Sequence, residues 1–326
     1  MMDRPTNIDG FLSQAGWLDA ERQPLAADLS RRAYTRLVKP GVGSAVLMDA
    51  PPDRDTSTPA FVEMTNWLRN ARLNAPEIYA SDIESGLLLL EDFGDKQIAK
   101  VIDDNPENRA ALYGDILDVL ILIRSQEPPP LHCPDAAELT TLTVVADTHY
   151  PGAVPLGLTR FRAVLSDVMA TLLKSELSVS LRDFHASNIM WLPQRPGLQR
   201  FGLLDYQDAF LTHSVYDLVS LLTDARTDVS KDFRQRMIAE YQSRTGDDMD
   251  QMRLAFSVFS AQRNLRILGV FARAAKDQGK SAHLNKMPRV HRYFAEALQH
   301  PVFADVTDET LDAVPFPTAE LLESLK

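Results

Sequence analysis

Apolar residues recur along this chain with two different periods, and the change of period divides it. A first amphipathic helix is predicted over residues 8–20, with Phe11, Leu12, Ala15 and Leu18 on one face. Short apolar runs follow at Leu25–Leu29, Tyr34–Val38 and Ser44–Met48, the last two separated by Gly41-Val-Gly43, whose glycines suit a hairpin turn. A helix is predicted from Ala60 to Leu73, and Gly86–Gly94 encloses four consecutive leucines that read as a buried strand ending in an acidic turn. Beyond this point the spacing becomes helical. Leu112, Ile116, Leu120 and Ile123 mark a helix over 108–125, which Pro128, Pro129 and Pro130 end by removing donors from the ladder. Another is predicted over 158–173, leading through Leu177–Ser180 into a loop. The pattern is that of an α+β protein, with strands concentrated early and helices late.

One late stretch breaks the helical rhythm. Asn188–Leu192 and Phe201–Leu204 read as two short strands about a turn at Pro193–Gly197. Asp183 stands in the loop before this hairpin and Asp205 directly after it, with Asn188 five positions beyond Asp183. Phosphoryl transfer from ATP needs such a set: a carboxylate to orient and deprotonate an attacking hydroxyl, and a carboxylate with an amide oxygen to hold Mg²⁺ on the phosphates. Either acid alone is commonplace, whereas the order of loop, hairpin and second acid is specific. The segment resembles the catalytic and metal-binding loops of the protein-kinase-like fold in its aminoglycoside phosphotransferase and choline kinase branch. There the pattern is H-x-D-x-H-x-x-N, then a strand, then D-[FY]-x-D. This chain has Asp183, His185 and Asn188, then Asp205-Tyr206-Gln207-Asp208, and departs at Leu181, where the family has His.

The resemblance implies a bilobal α+β fold: a small antiparallel-sheet lobe over 1–93, ending in a hinge, and a larger, mainly helical lobe over 94–326. It implies Asp183 as catalytic base, Asn188 and Asp205 as Mg²⁺ ligands, and His185 and Asp208 near the substrate. Backbone groups of Glu91, Asp92 and Phe93 would meet the adenine of ATP. The phosphate-binding Lys of the third strand is absent, Met48 standing at that point. Glu63, which would pair with such a Lys, is then a solvent-facing helix residue. Arg31, Arg32 or Arg36, near the first strands, would replace the Lys as a phosphate clamp, since a guanidinium meets phosphate through two parallel bonds. Asp217, in the first turn of a helix beginning at Val215, would brace the catalytic loop by accepting backbone N–H bonds.

Two further runs narrow the resemblance. Val46-Leu-Met-Asp-Ala-Pro-Pro52 and the pattern QRxLxxLGxFxR starting at Gln262 are similar to those of bacterial kinases that phosphorylate the anomeric hydroxyl of N-acetylmuramate and N-acetylglucosamine in cell-wall recycling. From 251 to 300 only Asp277 and Glu296 oppose nine Lys and Arg residues, in a chain whose net charge is −11. Arg263 and Arg266 of this segment are expected at the substrate. An aminoglycoside or other small-alcohol kinase remains a rival reading, as does a catalytically silent nucleotide-binding module, suggested by Met48 and Leu181. The acidic balance opposes broad nucleic-acid binding. No run of about 20 apolar residues, the length that crosses a bilayer, is present, and the start lacks a signal-peptide layout. The single Cys133 suits a reducing cytoplasm. Nothing in the sequence sets an oligomeric state.

Overall fold

The computed structural model describes residues 4–25, 32–175 and 177–326. Along the chain come α1 (Arg4–Gln14), β1 (Glu21–Pro24), β2 (Ala33–Lys39), β3 (Gly43–Asp49), α2 (Thr58–Asn70), β4 (Ile78–Asp82) and β5 (Leu87–Glu91). Then follow α3 (Ile98–Asp104), α4 (Arg109–Arg124), α5 (Ala136–Thr141), α6 (Val145–His149), α7 (Thr159–Leu172), β6 (Leu177–Ser180), β7 (Ile189–Trp191), β8 (Phe201–Leu203) and β9 (Phe210–His213). The chain closes with α8 (Tyr216–Leu222), α9 (Lys231–Thr245), α10 (Met249–Gln278), α11 (Met287–Ala297), α12 (Thr307–Ala313) and α13 (Ala319–Glu323). It divides into two units, residues 1–101 with 188–208, and residues 102–187 with 209–326. Segment 94–101 and the hairpin thus join the first unit.

In the first unit β1 to β5 form an antiparallel sheet in the order β1-β2-β3-β5-β4. Alternation along β3 sends Ala45 and Leu47 to one face, where Leu37, Leu87 and Leu89 join them under Phe11 and Leu12 of α1. Burying that row is what fixes the register, since a one-residue slip would turn it to the other face. Arg4 fastens α1 through Asp49 and the Ser85 carbonyl. The helix ends at Gln14, so Leu18 lies outside it and is exposed. Val46 and Met48 occupy the opposite face, Met48 fully buried between Tyr34 and Leu88 on the neighbouring strands. Glu63 is exposed on α2. The first strand among the described residues is Glu21–Pro24, and residues 26–29 of the expected strand Leu25–Leu29 lie outside the described residues. It is exposed throughout, so no alternation betrays it. The β7–β8 ribbon belongs to this unit: Leu203 N–H donates to the Asn74 carbonyl at 2.7 Å and Trp191 N–H to that of Lys96 at 2.6 Å.

The second unit is built around α10, thirty residues and about 45 Å long. Asp248 caps its start, accepting from Gln251 N–H at 2.9 Å, and Gly279 at φ +64° ends it. Gly269 lets α6 cross close by, because a Cβ there would lie 2.5 Å from the Ala146 nitrogen. β6 pairs with β9, and this two-stranded ribbon delivers the chain into the loop carrying Asp183.

Candidate active site

The first unit carries a cleft of about 480 Å³ on the Val46 face of its sheet, lined among others by Tyr34, Val46, Leu90, Phe93 and Asp205. That volume is in the range of small-molecule sites. The turn after β5 forms one wall. Glu91 is engaged there: its N–H donates to the Glu77 carbonyl at 2.8 Å, and its carboxylate pairs with Arg195. Asp92 accepts from Arg36 Nε at 2.7 Å. The Phe93 ring packs against the hairpin, where Gly202 is required, since a Cβ would stand 2.7 Å from the ring carbons. Arg195 lies over this ring, 5.2 Å from its centroid.

Asp205 projects into the same cleft from a left-handed backbone, φ +61°, uncommon outside glycine though easier for Asp than for most residues, and held here by its surroundings. The enforcement is visible on both flanks. Leu203 and Leu204 N–H groups are bonded to the Asn74 and Asn188 carbonyls. Tyr206 is buried, stacked on Phe61, with its hydroxyl 2.7 Å from Thr65 Oγ1 on α2. Asn188 Nδ2 lies 3.4 Å from Asp205 Oδ2, and Gln207 Nε2 donates to Asp205 Oδ1 at 3.0 Å and to Asp208 Oδ2 at 3.4 Å. Arg32, 7% exposed, bridges Asp205 at 3.4 Å and Asp55 at 3.5 Å.

This set fits a hard divalent cation. Its potential ligands are a carboxylate and an amide oxygen, and Mg²⁺ prefers few protein oxygens, taking the rest from water and phosphate. Gln207 Oε1 is buried beside them with no donor among the described residues, and water on such an ion would supply one. Among the described residues there is no cluster of three or more His, Cys, Asp or Glu able to hold a metal alone.

The second unit carries the loop after β6. Asp217 in the first turn of α8 accepts from Ser180 Oγ at 2.7 Å, Leu181 N–H at 2.6 Å and Arg182 N–H at 3.1 Å. The loop is therefore bolted through its backbone, and the apolar Leu181 side chain is simply buried where the family has His. Arg182 takes φ +69°, and its carbonyl accepts from Ser220 Oγ at 3.2 Å. Asp183 Oδ1 receives Arg263 Nη2 at 3.2 Å. Burial alone would raise the pKa of Asp183, but Arg263 foremost, with Arg266, His185 and Arg182, holds it well below the ordinary carboxylate range. Asp183 is ionised at neutral pH.

His185 is 3% exposed, with Nε2 3.0 Å from Arg226 Nη1. A guanidinium only donates, so Nε2 accepts and the imidazole is neutral, in keeping with a pKa lowered first by burial. This places His185 inside the loop as a brace. Arg263, also nearly fully buried, is committed to Asp183. Arg36 is held by both Asp92 and Asp95. Arg31 lies outside the described residues. Asp55, Thr65, Arg182, Gln207 and Arg226 escaped the sequence reading. Gln207 and Arg182 sit inside the quoted motifs at positions the family pattern leaves open, so only their contacts single them out.

Likeness to known proteins identifies the family. The model of the phosphotransferase enzyme family matches residues 21–255. A protein of Caulobacter vibrioides named N-acetylmuramate/N-acetylglucosamine kinase is 31% identical, over 91% of this chain and 93% of its own. Among solved structures, a choline/ethanolamine kinase family protein from Mesorhizobium loti has a TM-score of 0.66 at 12% identity, over 94% of this chain and 98% of its own. An aminoglycoside phosphotransferase from Streptomyces rimosus, in complex with ADP and streptomycin, has a TM-score of 0.55 at 20% identity, over 82% and 99%. The family match over most of the chain and the identity to the Caulobacter protein lead to one conclusion: this chain belongs to the phosphotransferase enzyme family and acts on a hydroxyl acceptor.

Proposed function

We propose that the protein uses ATP and Mg²⁺ to phosphorylate the anomeric hydroxyl of an N-acetyl amino sugar, N-acetylmuramate or N-acetylglucosamine, in the cytoplasmic recycling of cell-wall sugars. The observation that carries the substrate is the likeness to the Caulobacter kinase over nine-tenths of both chains. The residues supply compatible chemistry. Asp183 aims the acceptor hydroxyl and takes its proton as the new O–P bond forms and the bond from the γ-phosphorus to ADP breaks. Asn188 and Asp205 would hold Mg²⁺, which when bound neutralises charge on the β- and γ-phosphates. Gln207 orients Asp205 and keeps Asp208 beside it. Arg32 is the cation we assign to phosphate in place of the missing Lys, since it is already at Asp205, whereas two carboxylates occupy Arg36. The turn at Asp92 and Phe93 would receive the base.

A polycationic acceptor is disfavoured by the arginines around Asp183. The deciding assay is ADP release with MgATP against N-acetylmuramate, N-acetylglucosamine, an aminoglycoside and choline. Turnover confined to the N-acetyl sugars is expected, and turnover confined to choline or the aminoglycoside would remove the assignment.

A further inference from the structure

We infer that Arg182 and Arg266 form an anion-receiving site beside Asp183 that reads a carboxylate carried by the sugar acceptor. This deepens the amino-sugar kinase reading above and rests on it for the identity of the acceptor.

Four arginines surround the catalytic loop, and their partners separate them into two kinds. Arg263 is spoken for by Asp183, and Arg226 by the His185 ring. Arg266 follows Arg263 by three positions on α10, so the two share a helix face, yet it has no hydrogen bond or ion pair among the described residues. The Arg182 guanidinium is equally without a partner among them, although its backbone is the most firmly held in the loop, tied through N–H to Ser180 and Asp217 and through C=O to Ser220. The fixed backbone limits where that guanidinium can reach, although its side-chain torsions are ordered only on binding. The two cations also feel one another. After burial, Arg182 is the strongest influence lowering the pKa of Arg266, and both act on Asp183.

Two unmatched guanidinium groups in a half-buried place are unfavourable by themselves. A ligand carboxylate would offset both at once, through the fork geometry that guanidinium and carboxylate share. A neutral sugar would leave them unmatched. The site therefore discriminates by charge between two acceptors alike elsewhere, and N-acetylmuramate, which differs from N-acetylglucosamine by a lactyl ether ending in a carboxylate, is the acceptor it favours. Nucleotide phosphate is the other anion in the reaction, so the test must separate the two.

Arg182→Gln and Arg266→Gln would be compared with wild type for kcat/KM on both sugars, for the KM of ATP, and for equilibrium binding of each sugar by calorimetry. The expected result is a fall of about 10- to 100-fold in the muramate-to-glucosamine ratio of kcat/KM, as for loss of a charge-assisted hydrogen bond, with muramate binding weakened in parallel. A ratio within about threefold of wild type would overturn the site while leaving the sugar kinase reading standing. So would a change confined to the KM of ATP, which would assign the arginines to phosphate. If wild type phosphorylates neither sugar, the kinase reading fails and calorimetry decides alone. Muramate binding that the substitutions abolish would sustain the site, and muramate bound no more tightly than glucosamine would overturn it.

Discussion

Asp183 is held ionised by Arg263, so it is a weak base, and in the proposed reaction its worth would lie in aiming a hydroxyl at phosphorus. The loose transition state of phosphoryl transfer asks for little more, because proton removal lags behind bond breaking. Asp183→Asn should retain the fold and lose turnover by about 10²-fold or more. Arg263→Gln tests the electrostatic half of the argument. With the folded-state pKa depressed, the contribution of Asp183 to stability and activity is present above the ordinary value of 3.8 and is lost only as pH falls well below it. Removing Arg263 takes away the strongest of the lowering influences, so the acid limb of the pH–kcat profile should move upward. A limb that stays in place would mean another group controls it. Arg32 and Arg36 are separated by their present partners. Arg32→Ala should weaken MgATP binding by about 10- to 100-fold in calorimetry, the range for a charged hydrogen bond to phosphate. Arg36→Ala should chiefly lower the melting temperature, since it releases Asp92 and Asp95. The reverse order of effects on binding would give the clamp to Arg36.

Among the elements, α8 shows how an unremarkable helix start becomes part of a site. Asp217 accepts three bonds from the catalytic loop while fully buried, and burial pushes its pKa up to about 6 against the lowering by Ser180 and the Leu181 N–H. A carboxylate raised in this way contributes stability that is present below pH 3.8 and lost as pH rises through 6. The melting temperature of wild type minus that of Asp217→Asn should therefore fall between pH 4 and pH 7. Turnover of the variant should drop about tenfold, as one amide oxygen cannot accept all three bonds. A difference in melting temperature that is flat with pH would contradict the raised pKa. The brace was expected through the family resemblance, since a first-turn Asp by itself is as commonly a residue that offsets the helix dipole. The strands that were not legible lack a long one-sided apolar row. β1 is exposed along its length, β4 has no residue fully buried, and β9 is a four-residue strand whose partner, β6, is equally short. By contrast α2, α4, α7 and the leucines of β5 bury the very residues whose spacing announced them.

Across the whole molecule, the fold class and the acids of the site follow from motif and periodicity, while the division of labour among arginines does not. Charge counts in the 251–300 segment cannot distinguish Arg263, inside and paired, from Arg266, which has no partner among the described residues, because pairing depends on a loop seventy or more positions away, the span of the Arg263–Asp183 contact being 80. Among the described residues no helix is long and apolar enough to cross a membrane. The hairpin 188–208 has a consequence of another sort, for the order in which the protein is made. A ribosome delivers α1 and the five-stranded sheet early, yet the ribbon that closes behind Phe93 and carries Asp205 arrives only after most of the other unit's first half has been synthesised. Asn74 must wait for Gln199, 125 positions downstream, before its side-chain amide is satisfied, and its carbonyl waits for Leu203. Closing so long a loop is entropically costly and slow. A nascent chain halted near residue 101 should accordingly hold its sheet loosely, with amide protection in β5 appearing in pulse-labelling only once the chain has passed residue 208. Early, full protection would show that the sheet matures before the 188–208 ribbon joins it.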